Sequence, residues 1–105
     1  MEPKAYANKN LPAGLLDLAK FLRIIGDDKR LKILYFLKDG ESCVCEIEKN
    51  LGIAQNLTSS HLKVLREFQL ITGRQEGKRI YYKINPVAFK KYNTSLKNFL
   101  HNYEL

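Results

Sequence analysis

Cys43 and Cys45 are the only two cysteines of the 105-residue chain, and they stand one residue apart in the stretch "GESCVCEIEKN". Two soft sulfur donors this close can grip a thiophilic ion, be oxidised, or serve as small apolar fillers. The spacing fits no secreted disulfide framework and no four-ligand zinc motif. His61 is the other residue whose chemistry invites a role, as a metal ligand or a base. It falls on the inward stripe of its helix with no Ser, Asp or Cys partner around it, so the sequence describes a binding protein and not an enzyme.

These residues must be positioned by short helices. In "LPAGLLDLAKFLRIIG" the apolar positions Leu15, Leu18, Ala19, Leu22 and Ile25 recur at helical spacing, between Pro12 and Gly26. "DDKRLKILYFLKDG" predicts a second helix, capped by Asp27 or Asp28, with a core stripe through Leu31, Leu34 and Leu37 and a stop at Gly40. Ser42 is suited to cap a third, short helix whose Val44, Ile47 and Leu51 face inward, with both cysteines on its first turn. Gly52 then permits a tight turn, and "QNLTSSHLKVLREFQ" predicts a fourth helix. The pattern switches to period two in "LITGRQEGKRIYYKI", where Ile80, Tyr82 and Ile84 share a face and Gly77 lies in the loop of a β-hairpin. Pro86 opens a last helix carrying Tyr92, Leu96, Phe99 and Tyr103 at helical spacing.

Two short helices joined by a tight turn and followed by a basic ribbon form a winged helix-turn-helix, an arrangement suited to the DNA major groove and the adjacent backbone. If Thr58, His61, Leu62 and Leu65 face inward, Gln55, Asn56, Ser59, Ser60 and Lys63 project outward. The amides and hydroxyls can read base edges, and Lys63 neutralises phosphate. Thr58 and His61, though on the inward stripe, are also counted in the candidate DNA-contacting set. On the wing, Arg74, Lys78, Arg79 and Tyr81 complete it. Charge agrees with this placement: of the net +7, residues 55–83 contribute +4, from six Lys/Arg against two Asp/Glu, whereas residues 1–54 contribute +1, from nine against eight. A basic excess in that segment points to a polyanionic partner.

Length and composition allow one ordinary globular domain over residues 1–105. No apolar run reaches the ~20 residues that span a bilayer, and the N-terminus lacks the apolar segment of a signal peptide. The expectation is a cytoplasmic protein with no membrane partner, whose cysteines are thiols rather than a disulfide.

The run "DDKRLKILYFLKDGESCVCEIEKNLGIAQNLTSSHLKVLREFQLITGRQEGKRIYYKI", residues 27–84, resembles the ArsR/SmtB family of winged-helix repressors. "SCVCEI" is similar to that family's Cys-Val-Cys metal box, "SSHLKVLRE" to its recognition helix and "GRQEGKRIYYKI" to its wing. The resemblance implies a mainly α fold with a small β-hairpin, in the order α-α-α-α-β-β-α. It also implies a homodimer, joined through helices over 12–25 and 86–103, with the helix-turn-helix over 43–68 and the wing over 70–84. The dimerisation residues are expected to be Leu15, Leu18, Leu22, Tyr92, Leu96, Phe99 and Tyr103. Such a repressor sits on an imperfect palindrome of double-stranded DNA and leaves when an inducer binds; none is required for folding. The implied inducers are As(III) or Sb(III), or Cd(II), Pb(II) or Zn(II), at Cys43 and Cys45.

Three departures from the family pattern narrow that site. The third Cys of arsenic-type members falls here on Glu48, the N-terminal arm "MEPKAYANKN" has no cysteine, and the last helix offers only His101 toward a helix metal site. Two thiols remain. In a regular helix, positions two apart point about 200° from each other, so chelation is expected to require unwinding of the first turn. Release by thiol oxidation or a sulfur species, and a protein-interaction module with structural cysteines, are alternative uses of the same chain.

Overall fold

The computed structural model describes residues 11–104, so the cysteine-free arm 1–10 lies outside the described residues. Its elements are α1 (Leu15–Ile25), α2 (Asp28–Leu37), β1 (Ser42–Cys43), α3 (Val44–Leu51), α4 (Gln55–Glu67), β2 (Ile71–Glu76), β3 (Arg79–Ile84) and α5 (Pro86–His101). The expected order of helices and hairpin is present, with one strand added. Among the described residues no helix is long and apolar enough to cross a membrane.

Asp27 starts α2 because its carboxylate accepts hydrogen bonds from the Lys29 and Arg30 amides at 2.9 and 3.1 Å, covering two of the donors that a helix start leaves open. Ile33, Leu34 and Leu37 are buried, while Leu31 is exposed. The stripe is therefore rotated from the one expected. The same correction applies in α1, which buries Leu18 and Phe21 and leaves Ala19 and Leu22 exposed. Phe21 is the reason: its ring stacks on Tyr92 of α5 at 4.4 Å, and Tyr92 stacks in turn on Phe68 at 5.5 Å. This seam ties the first and last helices to the end of α4. It also uses Leu18 and Tyr92 inside the protomer, so neither has its apolar surface free for a partner chain.

Ser42 does not cap a helix. It and Cys43 form β1, which pairs antiparallel with β3 in the register Ser42↔Tyr82 and Cys43↔Tyr81, giving the sheet order β1-β3-β2. Both residues are buried. α3 ends at Gly52, whose φ of 64° closes the turn into α4. In the wing Tyr82 is buried and Ile80 and Ile84 are half-buried, as the period of two requires. Gly73 lies opposite Tyr82, where a Cβ would stand 2.9 Å from the tyrosine ring.

Candidate thiol site and nucleic-acid interface

The outward face of α4 carries Gln55, Asn56, Ser59, Ser60 and Lys63, all exposed. Among the described residues none of these five side chains is held by a protein hydrogen bond, which leaves their donors and acceptors free for a ligand. Leu57 is 44% exposed beside them. Thr58 departs from the expected set: it is fully buried, and its hydroxyl donates to the carbonyls of Ile53 and Ala54 at 3.2 and 3.1 Å. It secures the turn and has no surface to offer to DNA. His61 is half-buried, with Nδ1 accepting a hydrogen bond from Arg30 Nε at 3.1 Å.

The wing separates its cations into two kinds. Lys78 and Arg79 are exposed and form no ion pair among the described residues. Arg74 is committed. Its Nε and one terminal nitrogen grip both oxygens of Glu41, with contacts of 2.6–3.0 Å, and the other terminal nitrogen donates to Glu76 at 2.8 Å. Its guanidinium also lies 4.9 Å over the Tyr81 ring, a cation–π arrangement. The Arg74 guanidinium holds the Glu41 carboxyl below its ordinary range, and the two carboxylates raise Arg74 in return. An arginine matched by two carboxylates has less of its charge free for a phosphate than Lys78 or Arg79 has. The sequence marks Glu41 only as an acidic neighbour of the thiols, and its grip on Arg74 has no signal there.

Cys43 and Cys45 are joined through their sulfurs, with Cα atoms 5.4 Å apart, and among the described residues no cysteine is free. The expectation of two diverging thiols on one helical turn is overturned by the backbone. Cys43 is extended, at φ −79° and ψ 161°, and precedes the helix, while only Cys45 lies within it. The bend between strand and helix brings the sulfurs together with no unwinding. Cys43 is 1% exposed, whereas Cys45 is open to solvent. Glu46 places a carboxylate oxygen 3.4 Å from the Cys43 sulfur. Glu48 is half-buried on α3. Among the described residues no three His, Cys, Asp or Glu side chains converge as a metal site. His101 is paired instead with Glu104 at 3.6 Å on the exposed end of α5.

The thiol site adjoins the wing through two connections. Cys43 is the β1 partner of Tyr81, and Glu41, two residues earlier, grips Arg74 across the same sheet.

Comparison with known proteins agrees with this architecture. Residues 27–72 match the model of the bacterial regulatory protein, arsR family. The chain is 34% identical over 91 residues to a cadmium resistance transcriptional regulatory protein CadC homolog of Staphylococcus aureus, covering 86% of this chain and 74% of that protein. It is 35% identical over 69 residues to an arsenical resistance operon repressor of the same organism, covering 66% of each. Among solved structures it is similar to the homodimeric winged helix-turn-helix DNA-binding domain Mb0332 of Mycobacterium bovis. There the TM-score is 0.66 and the identity 26%, over 98% of this chain and 94% of that one.

Proposed function

The chain belongs to the ArsR family of bacterial regulatory proteins, and from that membership and the geometry above we propose that it is a homodimeric transcriptional repressor controlled at Cys43 and Cys45. The exposed face of α4 reads a half-site in the major groove, and Lys78 and Arg79 hold the flanking phosphates. Dimerisation pairs two such units on a palindrome, through apolar surface the protomer leaves wholly or partly uncovered: Leu15 and Leu22 on α1, Leu96 and Phe99 on α5, and Tyr103 in the turn just beyond it, outside the helix that was expected to reach 103.

The inducer is a thiophilic ion, arsenite or cadmium by the names of the relatives, held by the two reduced sulfurs with a water or small thiol completing its shell. The observation that carries this reading is the position of Cys43, at once the end of the strand that pairs with the wing and the residue from which α3 departs. An ion seated between the two sulfurs holds them farther apart than the direct bond does, and the shift falls on Cys43, through which β1 meets β3. It thereby disturbs both the helix-turn-helix and the Glu41–Arg74 grip. To release DNA, the ion has only to bind that disturbed state more tightly, and about 1–3 kcal/mol of coupling changes operator affinity ~5–150-fold.

A second reading is favoured by the joined sulfurs. Here a two-electron oxidant takes the electron pair of the two thiols, two protons leave, and the Cys43–Cys45 bond itself is the signal.

Fluorescence anisotropy of a labelled operator, recovered by selection from random duplexes, tests both. The reduced parent is titrated with arsenite, cadmium and peroxide beside Cys45→Ser. Release by ions in the parent and not in the variant supports the first reading, and release by peroxide alone supports the second. A variant that responds as the parent does removes the cysteines from control, and a parent that selects no duplex refutes the repressor itself.

A further inference from the structure

Among the described residues Gln69 alone, apart from glycines, has a positive φ, at 64°. An L side chain resists that conformation, and a helix that ends on it ordinarily places glycine there. Gln69 stands just past α4. Its amide donates to the Arg66 carbonyl at 2.9 Å and the Leu70 amide donates to the Leu65 carbonyl at 3.0 Å, the paired bonds of a Schellman close. Strain of this kind persists only where the surroundings hold it. Here Asn85 does so, with Nδ2 donating to the Gln69 carbonyl and its own amide to the Leu70 carbonyl, each at 2.9 Å.

Asn85 is also the residue from which α5 departs. An asparagine in that place commonly turns its side chain onto its own helix, yet no side-chain hydrogen bond caps α5. The amide is spent on the end of α4 instead. Next to it Phe68, the last residue of α4's closing turn, stacks on Tyr92 of α5 at 5.5 Å. The C-terminal end of α4 is therefore fastened to α5 at two neighbouring points, one polar and one aromatic. The reading residues lie at the other end: Gln55 and Asn56 begin the helix, about 20 Å from Gln69 at 1.5 Å per residue. A swing of about 10° around the fastened end carries them ~3.4 Å, one base-pair step, and a two-fold axis repeats the shift in the second half-site.

We propose that Asn85 is a positioning residue for operator geometry: by tying the Gln69 carbonyl to the start of α5, it sets the distance between the two recognition helices and hence the half-site spacing that the dimer accepts. The proposal rests on the reading of α4 as the recognition helix and of α5 as a dimer helix. It assigns spacing specificity to a side chain that need not touch DNA.

Asn85→Asp separates this role from a purely structural one. Aspartate keeps the size and is an equally good cap for α5, but its carboxylate has no proton for the Gln69 carbonyl. Anisotropy is measured on the selected operator, on duplexes whose half-sites stand one base pair nearer or farther, and on an isolated half-site. The parent should prefer its selected spacing. Asn85→Asp should weaken that preference by about fivefold per half-site, the effect of one lost hydrogen bond, while binding the isolated half-site as the parent does and melting near the parent's temperature. In the Gln69→Gly background, which relieves the strain and keeps the carbonyl, the same loss should appear in a protein whose folding is secure. Asn85→Asp proteins that keep the parent's preference, or that lose as much on the isolated half-site as on the full operator, would overturn the proposal and leave the repressor reading intact. So would a parent that binds all three spacings alike; a parent that selects no duplex overturns both.

Discussion

The division of the wing cations makes a quantitative prediction about salt. Each phosphate neutralised on B-DNA contributes about 0.9 to the slope of log affinity against log salt, and a dimer presents each wing residue twice. Lys78→Ala or Arg79→Ala, each removing an unpaired cation, should therefore flatten the slope by about 1.8. Between 50 and 200 mM salt that amounts to a ~12-fold smaller loss of affinity than the parent suffers. Arg74→Ala should leave the slope nearly unchanged, because Glu41 and Glu76 already occupy that guanidinium. Glu41→Gln should act in the opposite direction, freeing Arg74 for phosphate and steepening the slope. The assay is anisotropy of a labelled operator over a salt series, for the reduced parent and the four variants at one protein concentration. If Arg74→Ala flattened the slope as much as Lys78→Ala, the carboxylate grip would not hold in the complex, and the distinction between the two kinds of wing cation would fail.

Thermal melting tests the packing. Asp27→Ala should cost about 1 kcal/mol, as lost N-caps do, with Asp27→Asn much milder. The Asp27 carboxyl is held below its ordinary range first by its hydrogen bond from the Arg30 amide, against an opposing effect of burial. Its stabilisation is therefore present above the unfolded carboxyl's range and lost as pH falls through the lower folded value, so parent and Asp27→Ala melts should converge below about pH 4. Gly73→Ala should destabilise by about 1–3 kcal/mol, because its methyl group meets the buried Tyr82 ring; an unchanged midpoint would show that the ring can yield. Leu22→Lys should shift sedimentation toward monomer at micromolar concentration with the fold retained by circular dichroism, since Leu22 is 39% exposed in the protomer; an undiminished dimer would place the interface elsewhere.

Local periodicity carried most of the architecture. The four helices before the wing, the turn at Gly52 and the inward face Ile80, Tyr82, Ile84 each depend on residues within one or two turns of each other, and they are legible in the sequence for that reason. The errors share the opposite cause. Phe21 displaced the expected α1 stripe because Tyr92, 71 positions later, offers it a stacking partner. Ser42 and Cys43 became a strand because β3 presents an edge, and nothing in "GESCVC" announces that pairing. Arg74 is gripped by Glu41, 33 residues away, a pairing that local sequence does not announce. At the candidate site the outward residues of α4 could be named from helical phase alone. The approach of the two sulfurs could not, since it depends on where the strand ends and the helix begins.

The brevity of β1 also sets a clock. Only two residues hold it to β3, and Cys43 at 1% exposure meets solvent reagents only while that strand is peeled away. Openings of so small a unit are far more frequent than global unfolding. The rate at which the buried sulfur is modified is then the opening frequency multiplied by the chance of reaction before reclosure. At high reagent concentration that rate reaches a ceiling belonging to the protein and not to the reagent. On the proposed reading of Cys43 as a control residue, release would follow gradual rises in the signal in proportion, and sudden ones no faster than the strand can open.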